Sequence, residues 1–198
     1  QINDSQEVNL NDTSFIDPYG MVGLLEIGEL LKSKGIRKTI QLPQSEEVLK
    51  YLERMDFFKF ANEYFTLEPS KPHISEKYLR SSYTDVLLEI TPIESSDDIH
   101  FIVGKVKDRA KSILTKHLHY DDRAINGFIV ALSEVCQNII EHSENKGFVG
   151  IQKYHFQKNI NKNVVKIAVM DIGIGFRKSL SERFSIKDDN EVVFPNWA

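Results

Sequence analysis

The chain has 198 residues, 41% hydrophobic and 27% charged, a composition that supports a packed core and excludes a wholly disordered chain. With 25 basic against 29 acidic residues, a net charge of -4, it lacks the cationic excess that a nucleic-acid-binding surface needs. The single cysteine, Cys136, cannot close an intramolecular disulfide, and no run approaches the roughly 18 apolar residues of a membrane span. The expectation is a cytoplasmic protein that engages neither membrane nor nucleic acid, and the length favours two domains.

In chain order, "TSFID" (13–17) reads as a strand ending at Asp17. "PYGMVGLLEIGELLKSKG" follows as a helix between the start signal Pro18 and the stop signal Gly35, with Met21, Leu24, Leu25 and Leu31 at helical spacing. "RKTIQLP" reads as a second short strand. "SEEVLKYLERMDFF" reads as a second helix, capped by Ser45, with Val48, Leu49, Leu52 and Met55 on one face. This alternation predicts a small α/β unit over residues 1–72. The Phe-rich "MDFFKFANEYF" reads as an interdomain core before it reads as a partner surface.

The two prolines of "EPSKPHISEKYLR" mark a linker, placed at 73–83, and a second domain occupies 84–198. It opens with a strand, "DVLLEI", followed by helices from about Ser96 to His119 and from about Asp122 to Ser143. "GFVGIQKYHF" and "VVKIAVMDIG" then read as an antiparallel hairpin.

In the helix over 122–143, Ile125, Phe128, Ile129, Leu132, Val135, Cys136, Ile139 and Ile140 repeat as one apolar stripe. Glu134, Asn138 and His142, four residues apart, lie on the other side. A solvated polar face is the bland reading. Asparagine in mid-helix asks for a reason, because its side chain competes for the backbone. The second motif is "DIGIG": Asp171 ends a buried apolar strand, and Gly173 and Gly175 follow, pairing a hydrogen-bond acceptor with backbone that a ligand can approach closely.

With these two motifs in this order, residues 84–176 resemble the GHKL superfamily of ATPases, which includes DNA gyrase, MutL-type repair proteins and sensor histidine kinases. "SEVCQNIIEHS" is similar to its N box and "DIGIG" to its first glycine box. The E-x-x-x-N-x-x-x-H series is closest to the anti-sigma factor serine kinases. The resemblance implies an α/β sandwich of the Bergerat type that binds ATP and magnesium. Asn138 would coordinate the Mg²⁺ and Glu134 would be the general base. Asp171 would accept a hydrogen bond from the adenine amine, and Gly173 and Gly175 would let the next loop pass close to the nucleotide. His142 matches the end of the N box and stands outside the catalytic set. The family closes its site with a lid and a later Gly-x-Gly stretch. No glycine follows Gly175, so the lid is expected to be incomplete, with Arg177 or Lys178 as candidate phosphate contacts.

The first 72 residues resemble, more loosely, the STAS domains of anti-anti-sigma factors. Asp17 is followed by Pro18, Tyr19 and Gly20, with no serine or threonine at the family's phosphoacceptor position. That implies a protein-binding or intramolecular regulatory module. The joint expectation is an ATP-binding regulatory protein: a serine/threonine kinase of the anti-sigma type, a nucleotide-gated switch or a GHKL hydrolase. Its partner would be a regulatory protein or protein substrate, and a homodimer is compatible with it.

Overall fold

The computed structural model describes residues 7–70, 86–118, 121–143, 145–156 and 162–174. Two three-stranded sheets organise a mixed α/β structure. The first runs β1 (Glu7–Asn9), β2 (Lys38–Gln41), β3 (Phe65–Glu68), in that spatial order and all parallel. Its crossovers are α1 (Pro18–Ser33) and the pair α2 (Glu46–Arg54) and α3 (Phe57–Tyr64). Parallel neighbours require such crossovers, and the helices bury their apolar faces on the sheet.

The start and stop signals of α1 act as read: Pro18 occupies the first turn, and Gly35 takes the positive φ of 69° that ends the helix. The strand expected over 13–17 does not form. Asp17 instead caps α1, accepting from the Gly20 N–H at 3.0 Å, and receives Lys166 Nζ at 2.8 Å. A residue committed to a cap leaves the ladder, and the first strand lies earlier, at 7–9. The expected second helix is two. Ser45 caps α2 as anticipated, but the chain breaks at Asp56, in the left-handed region at φ 61°, and restarts as α3.

The second sheet is antiparallel: β4 (Val86–Ile93), β5 (Gly147–Phe156) and β6 (Lys162–Asp171), with β5 in the middle. The helices α4 (Ser96–Leu118) and α5 (Asp122–His142) agree with the sequence reading to within a residue. They cover one sheet face, where Leu87, Leu88, Ile93, Val149 and Ile151 pack against Ile99, Ile102, Val106, Ile129, Leu132, Cys136 and Ile139. Glu89 of β4 ties α4 down, with Lys105 Nζ and Arg109 Nη1 each 2.8 Å from its carboxylate. Burial alone would raise this acid; the two cations hold it at about 2.

The other face of that sheet belongs to the first unit. Val86, Ile90, Phe148 and Ala168 join Met21, Val22, Leu25, Met55, Phe57 and Tyr64 in one core. Phe148 stands edge-on to Phe60 at 5.5 Å and to Tyr64 at 6.4 Å, so the Phe-rich stretch packs against the second sheet. Where the β4–β5 register shifts between Leu88 and Thr91, the Ile90 N–H donates to the Met55 carbonyl at 3.0 Å. Tyr51 and Tyr154 add a hydroxyl pair at 2.8 Å. The linker assigned to 73–83 lies outside the described residues.

Because Phe148 belongs to β5 yet is buried among first-unit side chains, Phe148→Ala should destabilise both units together. Urea unfolding should stay a single transition with a loss of about 3–5 kcal/mol. Two separated transitions, one unchanged, would contradict a shared core.

Candidate functional site

Asp121 starts α5, its carboxylate accepting from the Ala124 N–H at 2.7 Å. Ile125, Ile129, Leu132, Cys136 and Ile139 are buried, as their spacing requires. Glu134, Asn138 and His142 are all exposed on the opposite side. Val135, read as part of the buried stripe, is instead 47% exposed, and Val130 is 59% exposed. At 100° per residue Val135 sits between stripe and polar row, and α4 and the sheet do not reach that far round. The row therefore has an apolar border. Among the described residues, neither the Glu134 nor the Asn138 side chain is engaged by a hydrogen bond or ion pair; His142 lies 3.8 Å from Glu141.

The β6 tip is built onto the end of this helix. Asp171 pairs with Gly147 in the ladder, is exposed, and accepts the Gly173 N–H on Oδ1 at 2.8 Å. The chain then turns onto Ser143: the Ile174 N–H donates to the Ser143 carbonyl at 3.1 Å, and Asn145 Nδ2 donates to the Ile172 carbonyl at 3.0 Å. A Cβ on Gly173 would stand 2.4 Å from Ser143 Cβ and 2.5 Å from its carbonyl oxygen. Gly173 is thus demanded by the close contact between turn and helix end. Gly175, Arg177 and Lys178 lie outside the described residues.

The turn brings Asp171 to the C-terminal end of α5. Asn138 and Glu134 lie farther along, about 7.5 and 13.5 Å back from Ser143 at 1.5 Å per residue. The arrangement is elongated, with a carboxylate acceptor at one end and an amide and a second carboxylate toward the other. Among the described residues no three His, Cys, Asp or Glu side chains cluster in a way that would hold a metal by themselves. No described helix is long and apolar enough to cross a membrane. A cleft of about 350 Å³, with Phe15, Tyr51, Arg54 and Tyr154 among its walls, contains none of these site residues.

One residue escaped the sequence reading. Glu26, on α1, is 1% exposed, and among the described residues neither carboxyl oxygen has a hydrogen-bond partner. Burial first, and then the Asp171 carboxylate, push its pKa up to about 8, against weaker pulls from the Phe148 amide and Lys146. The signal was present in "VGLLEIG": Glu26 follows Val22 by four residues, so it falls within the stripe that buries Val22 and Leu25.

Two outcomes follow. A carboxyl that titrates near 8 when folded and near 4.5 when free stays protonated in the fold while the unfolded chain ionises, which favours unfolding by about 1.4 kcal/mol per pH unit between those values. Glu26→Gln should therefore gain stability over the wild type from pH 5 to pH 8 and hold a constant advantage above, measured by urea unfolding at each pH. A difference that does not change with pH would contradict the burial. Gly173→Ala should lower stability by about 1–3 kcal/mol through overpacking on Ser143, whereas an unchanged melting temperature would refute that contact.

Scans of this chain against protein-family models, curated proteins and solved structures return no match.

Proposed function

We propose that this chain is an ATP-binding regulatory protein of the GHKL type, holding Mg-ATP along α5 and the β6 tip and using it to act on a protein partner. The observation that carries the reading is the seating of the Asp171–Gly173 turn on Ser143. Through it, an exposed acid suited to reading a base stands at the end of α5, with an amide and a second acid, engaged by no described residue, about one and a half and two and a half turns back.

Each residue has a role its chemistry suits. Among the described residues Asp171 Oδ1 takes the Gly173 amide and Oδ2 takes none, so Oδ2 can accept the adenine 6-amino group. Guanine would place a carbonyl against that carboxylate, two acceptors facing each other, and would be rejected. Asn138 presents a neutral oxygen, a hard ligand that suits a magnesium ion already held by phosphates, and Mg²⁺ there would offset charge on the γ-phosphoryl group. Glu134, one turn back on the same face, would accept the proton of a partner's serine or threonine hydroxyl as that oxygen takes the γ-phosphoryl group and ADP leaves. Val130 and Val135 give the row an apolar border, beside Glu134, that a lid residue or the partner protein can cover.

A second reading is favoured by one specific feature, the burial of the nucleotide-bearing sheet against the first unit. On that reading ATP gates partner binding without phosphotransfer, and the STAS-like unit is the moving part. Calorimetry should show Mg-ATP binding that Asp171→Asn weakens by roughly 10- to 150-fold, the value of a hydrogen bond to a charged acceptor. Glu134→Ala should retain that binding. If it abolishes phosphate transfer the kinase reading stands, and if nucleotide-dependent partner binding survives with no transfer even in the wild type the switch reading replaces it. Absence of Mg-ATP binding by the wild type would overturn both.

A further inference from the structure

Glu26 has no evident structural use. A buried carboxyl with both oxygens unpartnered is costly, and its replacement by an apolar or amide side chain would be an easy gain, so its position asks for a reason. Its surroundings supply one. Gly23, one turn before it on α1, has its Cβ direction 4.0 Å from the Met170 methyl, and Glu29, one turn after it, lies 3.2 Å from Lys146 Nζ. Met170 precedes Asp171, and Lys146 precedes Gly147, the ladder partner of Asp171. The α1 face from Gly23 to Glu29 thus lies against the end of the β5–β6 ladder that Asp171 closes, and the Asp171 carboxylate is near enough to act on Glu26.

We propose that Glu26 is the first unit's sensor of what occupies Asp171: a nucleotide base on Asp171 holds the proton on Glu26, and ionisation of Glu26 weakens the base's hold. The proposal rests on the nucleotide reading of Asp171 and adds its regulation by the first unit. A base covering Asp171 strips water from that carboxylate, so its charge is less screened and repels an ionised Glu26 more strongly. By linkage, whatever raises the proton affinity of Glu26 on binding is matched by tighter binding when Glu26 is protonated.

The other groups around Glu26 do not cancel this effect. Glu29 on α1 adds repulsion. Lys146 is the nearby cation, and its ammonium is divided among Glu29 at 3.2 Å, Glu94 at 3.7 Å and Glu63 at 4.0 Å. Glu63 in turn takes Lys32 at 2.6 Å. The Tyr64 phenol of α3, pushed up to about 12 by burial, stays neutral through the range in which Glu26 titrates.

Mg-ATP titrations of the full chain at pH 7, 8 and 9, in two buffers of different ionisation enthalpy, test the proposal for the wild type, Glu26→Gln and Glu26→Asp. The wild type should bind about fivefold or more weakly at pH 9 than at pH 7 and take up a fraction of a proton on binding. Glu26→Gln should bind with one affinity throughout and take up none, and Glu26→Asp should restore a slope. A separate measurement without nucleotide, urea unfolding against pH, should show the Glu26 titration moving to lower pH in Asp171→Asn. Equal slopes in wild type and Glu26→Gln would overturn the sensor while leaving the nucleotide reading intact. No Mg-ATP binding at any pH would overturn both, and an unmoved titration in Asp171→Asn would show that the two carboxyls are not coupled.

Discussion

The structure depends on a sheet buried on both faces. Three antiparallel strands would ordinarily leave one side to water, but β4, β5 and β6 carry apolar residues on both. One side takes α4 and α5; the other takes α1 and the aromatic α3. This double burial makes the two units one packed body within the described residues, through Phe148, the Ile90–Met55 hydrogen bond and the Asp17–Lys166 ion pair. It also places a helix of the first unit against the strand that ends in Asp171.

That placement gives opposing electrostatics at the two faces. On the α4 side, Glu89 is a satisfied buried acid, held low by two cations. On the α1 side, Glu26 is an unsatisfied one, pushed high by burial and by Asp171. The Glu89 contribution to stability is present above its free value and fades as pH falls toward 2; the Glu26 penalty grows as pH rises toward 8. An acid of the second kind costs stability that an apolar or amide side chain in its place would not.

Much of this was legible in the residues. The 3.6 period of Ile125, Ile129, Leu132, Cys136 and Ile139 located α5 and its inner face, and the apolar run before Asp171 located β6, because both signals are long and set by burial. The exposed row of Glu134, Asn138 and His142 fell where helical geometry puts it. Short, locally determined elements were read less well. Residues 13–17 look like a strand by composition but are drawn into the Asp17 cap, and β3 was hidden behind the break at Asp56, a single left-handed residue that no periodicity reports. Val135 was misassigned because a stripe's width depends on what lies across from it. Glu26 could be placed in a buried stripe from spacing, but its neighbour Asp171 lies 145 residues away in the chain and becomes visible only in three dimensions.

The proposed nucleotide site on the face formed by α5 and the β6 tip would be joined to the first unit through the sheet. Amide hydrogen exchange with and without Mg-ATP tests it directly. Exchange should slow in two places at once, along 130–143 with the β6 tip and along α1 over 18–33. Protection confined to the second unit would contradict the coupling, and no protection anywhere at saturating Mg-ATP would contradict the site itself.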